Sequence, residues 1–169
     1  MENHDPVQIV KTKNVFVTRS LLVRKFSGIV DACLFPSMER KTRKKLSLYS
    51  ALSLFKHRLR FWKNEDYYFV FNVWATGYYH WITEVAIKFV LFERELQSGV
   101  IIIPENCPHF ISEFLLIMGI SNTRQMKGNC YIKKLNIITN PVSGHPDPAH
   151  LEAFRSRVLL EVKEDGKKF

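Results

Sequence analysis

The chain has 169 residues, 46% hydrophobic and 24% charged, which is the make-up of a single globular domain with a real core and excludes a disordered or low-complexity chain. Its net charge of +9 attracts anions of any kind (nucleic acid, anionic lipid, phosphorylated substrates) without choosing among them. The three cysteines, Cys33, Cys107 and Cys130, are odd in number and far apart, with no zinc-type spacing, so they read as reduced, mostly buried thiols of a cytoplasmic protein.

The N-terminus, "MENHDPVQIVKTK", is polar and lacks the apolar centre of a signal peptide. No uncharged apolar run approaches the roughly 18 residues of a spanning helix. Residues 14–18 and 28–35 read as strands from their β-branched and aromatic content, the second closed by Pro36-Ser37. "MERKTRKK" is a charged loop or helix start. A helix is predicted over 46–62, where Leu48, Leu52, Phe55, Leu59 and Trp62 recur at i, i+4, i+7 spacing and so face inward, with Lys56, Arg60 and Lys63 flanking the stripe.

Most of the charge sits around that helix: nine Lys/Arg and one acid lie between Glu39 and Lys63. One reading is a surface helix with its basic side in water. Another is contact with an anionic membrane or an anionic acceptor through Lys44, Lys45, Lys56 and Arg60. A nucleic-acid partner is not expected, because no recognised module accompanies the charge and the aromatic stripe is read as core-facing.

"DYYFVF", residues 66–71, reads as a buried strand. Residues 78–97 form a helix that is apolar nearly all round and hence central, ended by Ser98-Gly99. A buried strand follows over 100–104, then a helix over 107–118 closed by Gly119, and a strand over 131–139. In the loop "NPVSGHPDP", Asp147 is the N-cap and Pro148 the first residue of a helix ending near 160. From Asp66 the order is β-α-β-α-β-α, which predicts a parallel sheet flanked by helices. The expected organisation is one domain. Residues 1–65 supply N-terminal strands and the basic amphipathic helix, 66–160 the α/β core, and 161–169 a charged tail.

One stretch of the core, "FNVWATGYYHWITEVAIKF", combines a strand end, a glycine and a polar ladder. Gly77 permits a tight change of direction there. His80, Glu84 and Lys88 follow one helical turn apart on an otherwise apolar helix, where buried polar groups cost free energy unless they are paired or used. In one reading Glu84 pairs with Lys88 and His80 donates to a backbone carbonyl. In the other, His80 and Glu84 work as a general base and its orienter, or bind sugar hydroxyls. A metal site is not expected, since HxxxE supplies only two ligands. No GxGxxG, no GxxxxGK[ST] and no GxSxG occurs, so no nucleotide cradle or nucleophile elbow is evident.

"NVWATGYYHWITEVAIKFVLFE", "GVIIIP", "FISEFLLIMGI" and "NPVSGHPDPAHLEAFRSRV", in that order, resemble glycosyltransferase family 61 over about residues 67–158. The resemblance implies a GT-B architecture of two Rossmann-like halves, of which this chain matches the N-terminal, acceptor-side one. It implies inverting, metal-independent transfer from a nucleotide sugar to a glycan or lipid-linked acceptor, in capsular or other surface polysaccharide synthesis. No cofactor is implied, and the work is placed in the cytoplasm or peripherally at the inner membrane face. His80 and Glu84 fall on the family's motif positions, so one is expected to deprotonate the acceptor hydroxyl. Trp74, Gly77, Tyr78, Tyr79, Trp81 and Lys88 are expected to meet the acceptor. The donor-binding half has no counterpart here, so the chain is expected to be a fragment, or one partner, of the complete enzyme. The alternative is a non-catalytic carbohydrate-binding or scaffold module of the same fold.

Overall fold

Eight strands assemble into one mixed sheet in the computed structural model, which describes residues 7–62, 65–143 and 146–165. The strands are β1 (Ile9–Val17), β2 (Val23–Lys25), β3 (Gly28–Ile29), β4 (Leu59–Phe61), β5 (Tyr67–Phe69), β6 (Val100–Ile103), β7 (Thr123–Gln125) and β8 (Asn129–Ile138). Their order is β3-β2-β1-β8-β5-β6-β7, with β4 also paired to β8. As the alternation of strands and helices predicts, β5 is parallel to both β6 and β8, and β6 is parallel to β7.

The sheet as a whole departs from the parallel expectation. β1 runs antiparallel to β8 from Ile9 opposite Ile138 to Val17 opposite Cys130, and β2 and β3 fold back on it antiparallel. Antiparallel neighbours need only short turns, whereas each parallel one needs a crossover. The N-terminal segment therefore extends the core sheet at its β8 side. The strand predicted over 28–35 shrinks to β3 and a 3₁₀ turn at Asp31–Cys33, where the Cys33 thiol bonds the Val23 backbone and takes the place of a longer ladder.

The basic helix needs two corrections. It spans Arg40–Lys56 (α1), beginning inside the charged run, and it ends before Leu59 because Leu59–Phe61 pair with β8 as β4. Its faces are also reversed: Ser50 and Ser53 are buried, while Leu48, Leu52 and Phe55 are exposed. Polar contacts explain the reversal. The Arg24 guanidinium donates to Ser47 O (3.3 Å) and Ser50 Oγ (3.2 Å), and Ser53 Oγ donates to Asn129 Oδ1 (3.0 Å). Asn129 donates back to the Ser53 carbonyl at 2.8 Å. Just before it, Gly128 has φ +83°, and a Cβ there would lie 2.6 Å from Arg58 O, so glycine is required at this junction.

The central helical run, 78–98 (α2), starts as Tyr78–His80, widens to a π-type segment at Trp81–Ala86, and returns to α geometry at Ile87–Leu91. After a break at Phe92 it ends as Glu93–Ser98. α3 (His109–Ile117) is closed by Gly119 at φ +66°, the left-handed conformation that ends a helix. α4 (Pro148–Asp165) is capped by Asp147, whose Oδ1 accepts the Ala149 N–H at 2.8 Å. It runs through the first part of the predicted tail, and residues 166–169 lie outside the described residues, as do Lys63 and residues 144–145 of the predicted loop. Trp81, Phe89, Phe114 and Phe154 join α2, α3 and α4 in one aromatic core, with ring centroids 5.5–5.9 Å apart. No helix among the described residues is long and apolar enough to cross a membrane.

Candidate functional site

The C-terminal end of β5 runs through Val70 and Phe71 into a turn at Asn72–Thr76, and α2 begins after Gly77. Asn72 shapes the turn: its Oδ1 accepts the Trp74 N–H at 2.9 Å, an Asx-type closure. Gly77 is less special than its position suggests. Its φ is −84°, open to any residue, and a Cβ would meet Trp74 O only at an ordinary 3.4 Å. The turn is made by asparagine, and glycine is not required for it.

Glu84 lies in the π-type segment of α2, where such widening often marks a functional position. Its side chain is sealed, 1% exposed, and its carboxylate is fully engaged. Oε2 accepts from Asn72 Nδ2 at 3.0 Å, and Oε1 accepts from Ser143 Oγ at 2.8 Å and faces His80 Nδ1 at 3.0 Å. A carboxylate is acceptor-only, so Nδ1 carries the proton in this pair and the Nε2 lone pair is left outward. The His80 side chain is 35% exposed, and Nε2 has no protein partner among the described residues. Of the two residues only His80 is reachable from solvent.

The aromatic neighbours divide in the same way. His80 sits 5.4 Å from the Trp74 ring, which stacks on Phe35 at 4.8 Å, and 5.7 Å from Tyr79. Trp74, Tyr78 and Tyr79 are exposed. Trp81, expected to meet an acceptor, instead points into the core against Phe71, Phe89 and Phe114, because the helix turns it toward the sheet. Lys88 is equally unavailable. It is fully buried, and its Nζ donates to Val70 O (2.8 Å), Ile138 O (3.3 Å) and Asn140 Oδ1 (2.7 Å). Burial pushes its ammonium down to about 7, against the nearby Glu84 charge, which raises it. It ties the ends of β5 and β8 together and forms no ion pair with Glu84.

A groove of about 630 Å³ between α1 and the 73–76 turn is lined by Val73, Trp74 and Thr76 on one side and by Tyr49, Leu52, Lys56 and His57 on its α1 side. Lys44, Lys45 and Lys56 are exposed on α1, whereas Arg60 is exposed on β4 and does not share the helix face. The Cys33 thiol is pushed up to about 12 by burial, which makes it a poor nucleophile. Among the described residues no group of three or more His, Cys, Asp and Glu could hold a metal. The residues that sequence reasoning missed are Asn72, Asn140 and Ser143. The only signal for them is an asparagine at the end of each of two apolar strands, "VFN" and "IITN".

Comparison of the chain with known protein families, with curated proteins and with solved structures gives no match.

Proposed function

We propose that this chain is the acceptor-side, Rossmann-like half of an inverting glycosyltransferase of GT-B type, with His80 as general base. The observation that carries the reading is the sealed Glu84 carboxylate 3.0 Å from His80 Nδ1, which fixes the ring with Nε2 outward beside exposed aromatics. The pair stands at the C-terminal end of a parallel strand, where open α/β sheets bind ligands. The resemblance to family 61 at these positions points the same way.

In this reading an acceptor hydroxyl hydrogen-bonds to His80 Nε2. As its oxygen attacks the anomeric carbon of a nucleotide sugar, Nε2 takes the proton. The bond from that carbon to the nucleoside diphosphate breaks, and the configuration inverts. Glu84 holds the tautomer and stabilises the imidazolium that forms. Trp74 and Tyr79 offer ring faces to the acceptor sugar. Lys88 acts only through the geometry of the strand ends. The resemblance assigns the nucleotide sugar to a second Rossmann-like half, and assigns the product to surface polysaccharide made at the cytoplasmic side of a membrane.

The exposed Trp74, Tyr78 and Tyr79 support a second reading equally well, a carbohydrate-binding module without donor chemistry. Transfer from UDP- and GDP-sugars to glycan acceptors, measured with a donor-side half supplied, separates the two. His80→Ala is expected to lower the rate roughly 10²-fold or more while the fold and glycan binding persist. Glycan binding with no transfer from any donor supports the module. An unchanged transfer rate in the His80 variant removes the proposed base.

A further inference from the structure

We propose that α1 docks this protein on an anionic lipid surface by inserting an apolar ridge, and does not merely hover over it by charge. The reversed helix is the starting observation. Its serines face the protein, and Leu48, Leu52 and Phe55 form the summit that faces away, with Phe55 88% exposed. On one flank, Phe55 shares a depression of about 460 Å³ with Phe26 and Phe61, themselves 85% and 75% exposed. On the other flank, Tyr49 and Leu52 line the groove that Trp74 also lines. Scattered single apolar residues on a surface need no explanation, but a contiguous set rising from one helix does.

Charge selects the occupant. The summit is bordered by exposed Lys41, Lys44, Lys45 and Lys56, and Lys45 Nζ lies 5.8 Å from the Tyr49 ring. Between residues 39 and 63 the only acid is Glu39, at the start of the helix. The covering surface must therefore be apolar where the ridge enters and rich in anions where the lysines end. The interface of an anionic bilayer supplies both over one plane: acyl-chain boundary for leucine and phenylalanine, phosphate for lysine. Lysine stems lie along the apolar ridge while their ammonium groups reach the headgroups. The docking residues do not include His80 or Glu84, so this inference stands apart from the proposed catalysis.

The test is co-sedimentation of the full chain with phosphatidylcholine vesicles, with and without phosphatidylglycerol. Binding is expected to be much stronger with the anionic lipid, and about 1 M salt is expected to weaken it to the residual level seen with neutral vesicles, since screening removes attraction and leaves insertion. Leu48→Ser with Phe55→Ser is expected to weaken binding roughly tenfold or more, with an unchanged circular-dichroism spectrum because both side chains are exposed. Lys44→Glu with Lys45→Glu is expected to do the same at low salt. Failure to bind anionic vesicles, equal binding to neutral ones, or wild-type binding by the Leu48/Phe55 variant overturns the proposal. So does a dimer in solution that this variant converts to monomer, since a second copy would then be what covers the ridge.

Discussion

Glu84 and Lys88 are one turn apart on the same helix and both sealed from water, yet they form no ion pair: Glu84 is held by Asn72, Ser143 and His80, and Lys88 by Val70, Ile138 and Asn140. Each buried charge has its own set of neutral polar partners, and the two meet only through space. This separation leaves the carboxylate free to orient His80.

Asn72→Asp is expected to be worse than Asn72→Ala. The alanine change removes one donor from a sealed carboxylate and the acceptor of the Trp74 N–H, a loss of about 1–3 kcal/mol for each bond, and only the second is kept by aspartate. The aspartate change sets a like charge where the amide now sits 3.0 Å from Glu84 Oε2. Two carboxylates sharing a site raise one another's pKa, so lowering the pH adds a proton and relieves the repulsion. Urea unfolding of both variants should show the gap between them closing as the pH falls from 8 to about 5.

Lys88 should leave a mark on stability above neutral pH. Its folded-state value of about 7 lies below the 10.5 of an exposed lysine, so from about 7 upward the unfolded state binds more protons than the folded one. Stability from this group therefore rises with pH, by at most about 1.4 kcal/mol per pH unit. Cys33 and Cys130, raised from 9.0 to about 12, act in the opposite sense above 9, where the unfolded thiols ionise first. Chemical denaturation is expected to show stability climbing between pH 7 and 9 and flattening or falling beyond. Lys88→Met should lose the climb and keep the fall.

Two tryptophans seven positions apart should separate folding from binding. Trp81→Ala empties the centre of the aromatic core and is expected to cost about 3–5 kcal/mol. Trp74→Ala removes a half-exposed ring that stacks on Phe35 beside His80, so it should cost far less stability and more glycan binding. Thermal melts and glycan titration followed by intrinsic fluorescence check the pair.

Calorimetry of this chain alone against a panel of UDP- and GDP-sugars is expected to show weak binding or none. The sequence has no glycine-rich phosphate cradle, and the proposed function assigns donor contacts to a second half. Micromolar affinity for any donor counts against that division of labour.

Gly77→Ala should be nearly neutral, within about 0.5 kcal/mol, because its backbone is in an ordinary extended region. Gly128→Ala forces a side chain into the left-handed region and against Arg58 O, and should cost more than the roughly 1–2 kcal/mol of the conformation alone. Melting temperatures of the two variants decide this.

The parts of the fold that were legible in the sequence are those fixed by local chemistry. Asp147 caps a helix because its carboxylate reaches the next turn, Gly119 ends one because it tolerates positive φ, and "VIII" is a buried strand by composition. The spacing of His80 and Glu84 correctly put them on one helical face. Periodicity could not tell which way α1 faces: Leu48, Leu52 and Phe55 share a stripe whether it looks in or out, and the deciding contacts come from Arg24 and Asn129, far away in sequence. The three-residue strands β2, β4 and β7 are too short to carry a pattern, and exist because a neighbour offers an edge. The partners of Glu84 were hidden for the same reason, since Ser143 lies 59 positions away.

β8 is the last strand among the described residues, yet β1, β4 and β5 all pair with it, and Ile9 finds its partner only at Ile138. During synthesis those earlier strands emerge with exposed edges and must wait for β8 before the sheet can close. Long waits of this kind slow folding, because the loop must be closed before its contacts give any return. They also leave unpaired edges open to association with other chains. The nascent polypeptide therefore depends on what shields those edges until residue 138 has left the ribosome, and a chain cut before Asn129 would keep them exposed permanently.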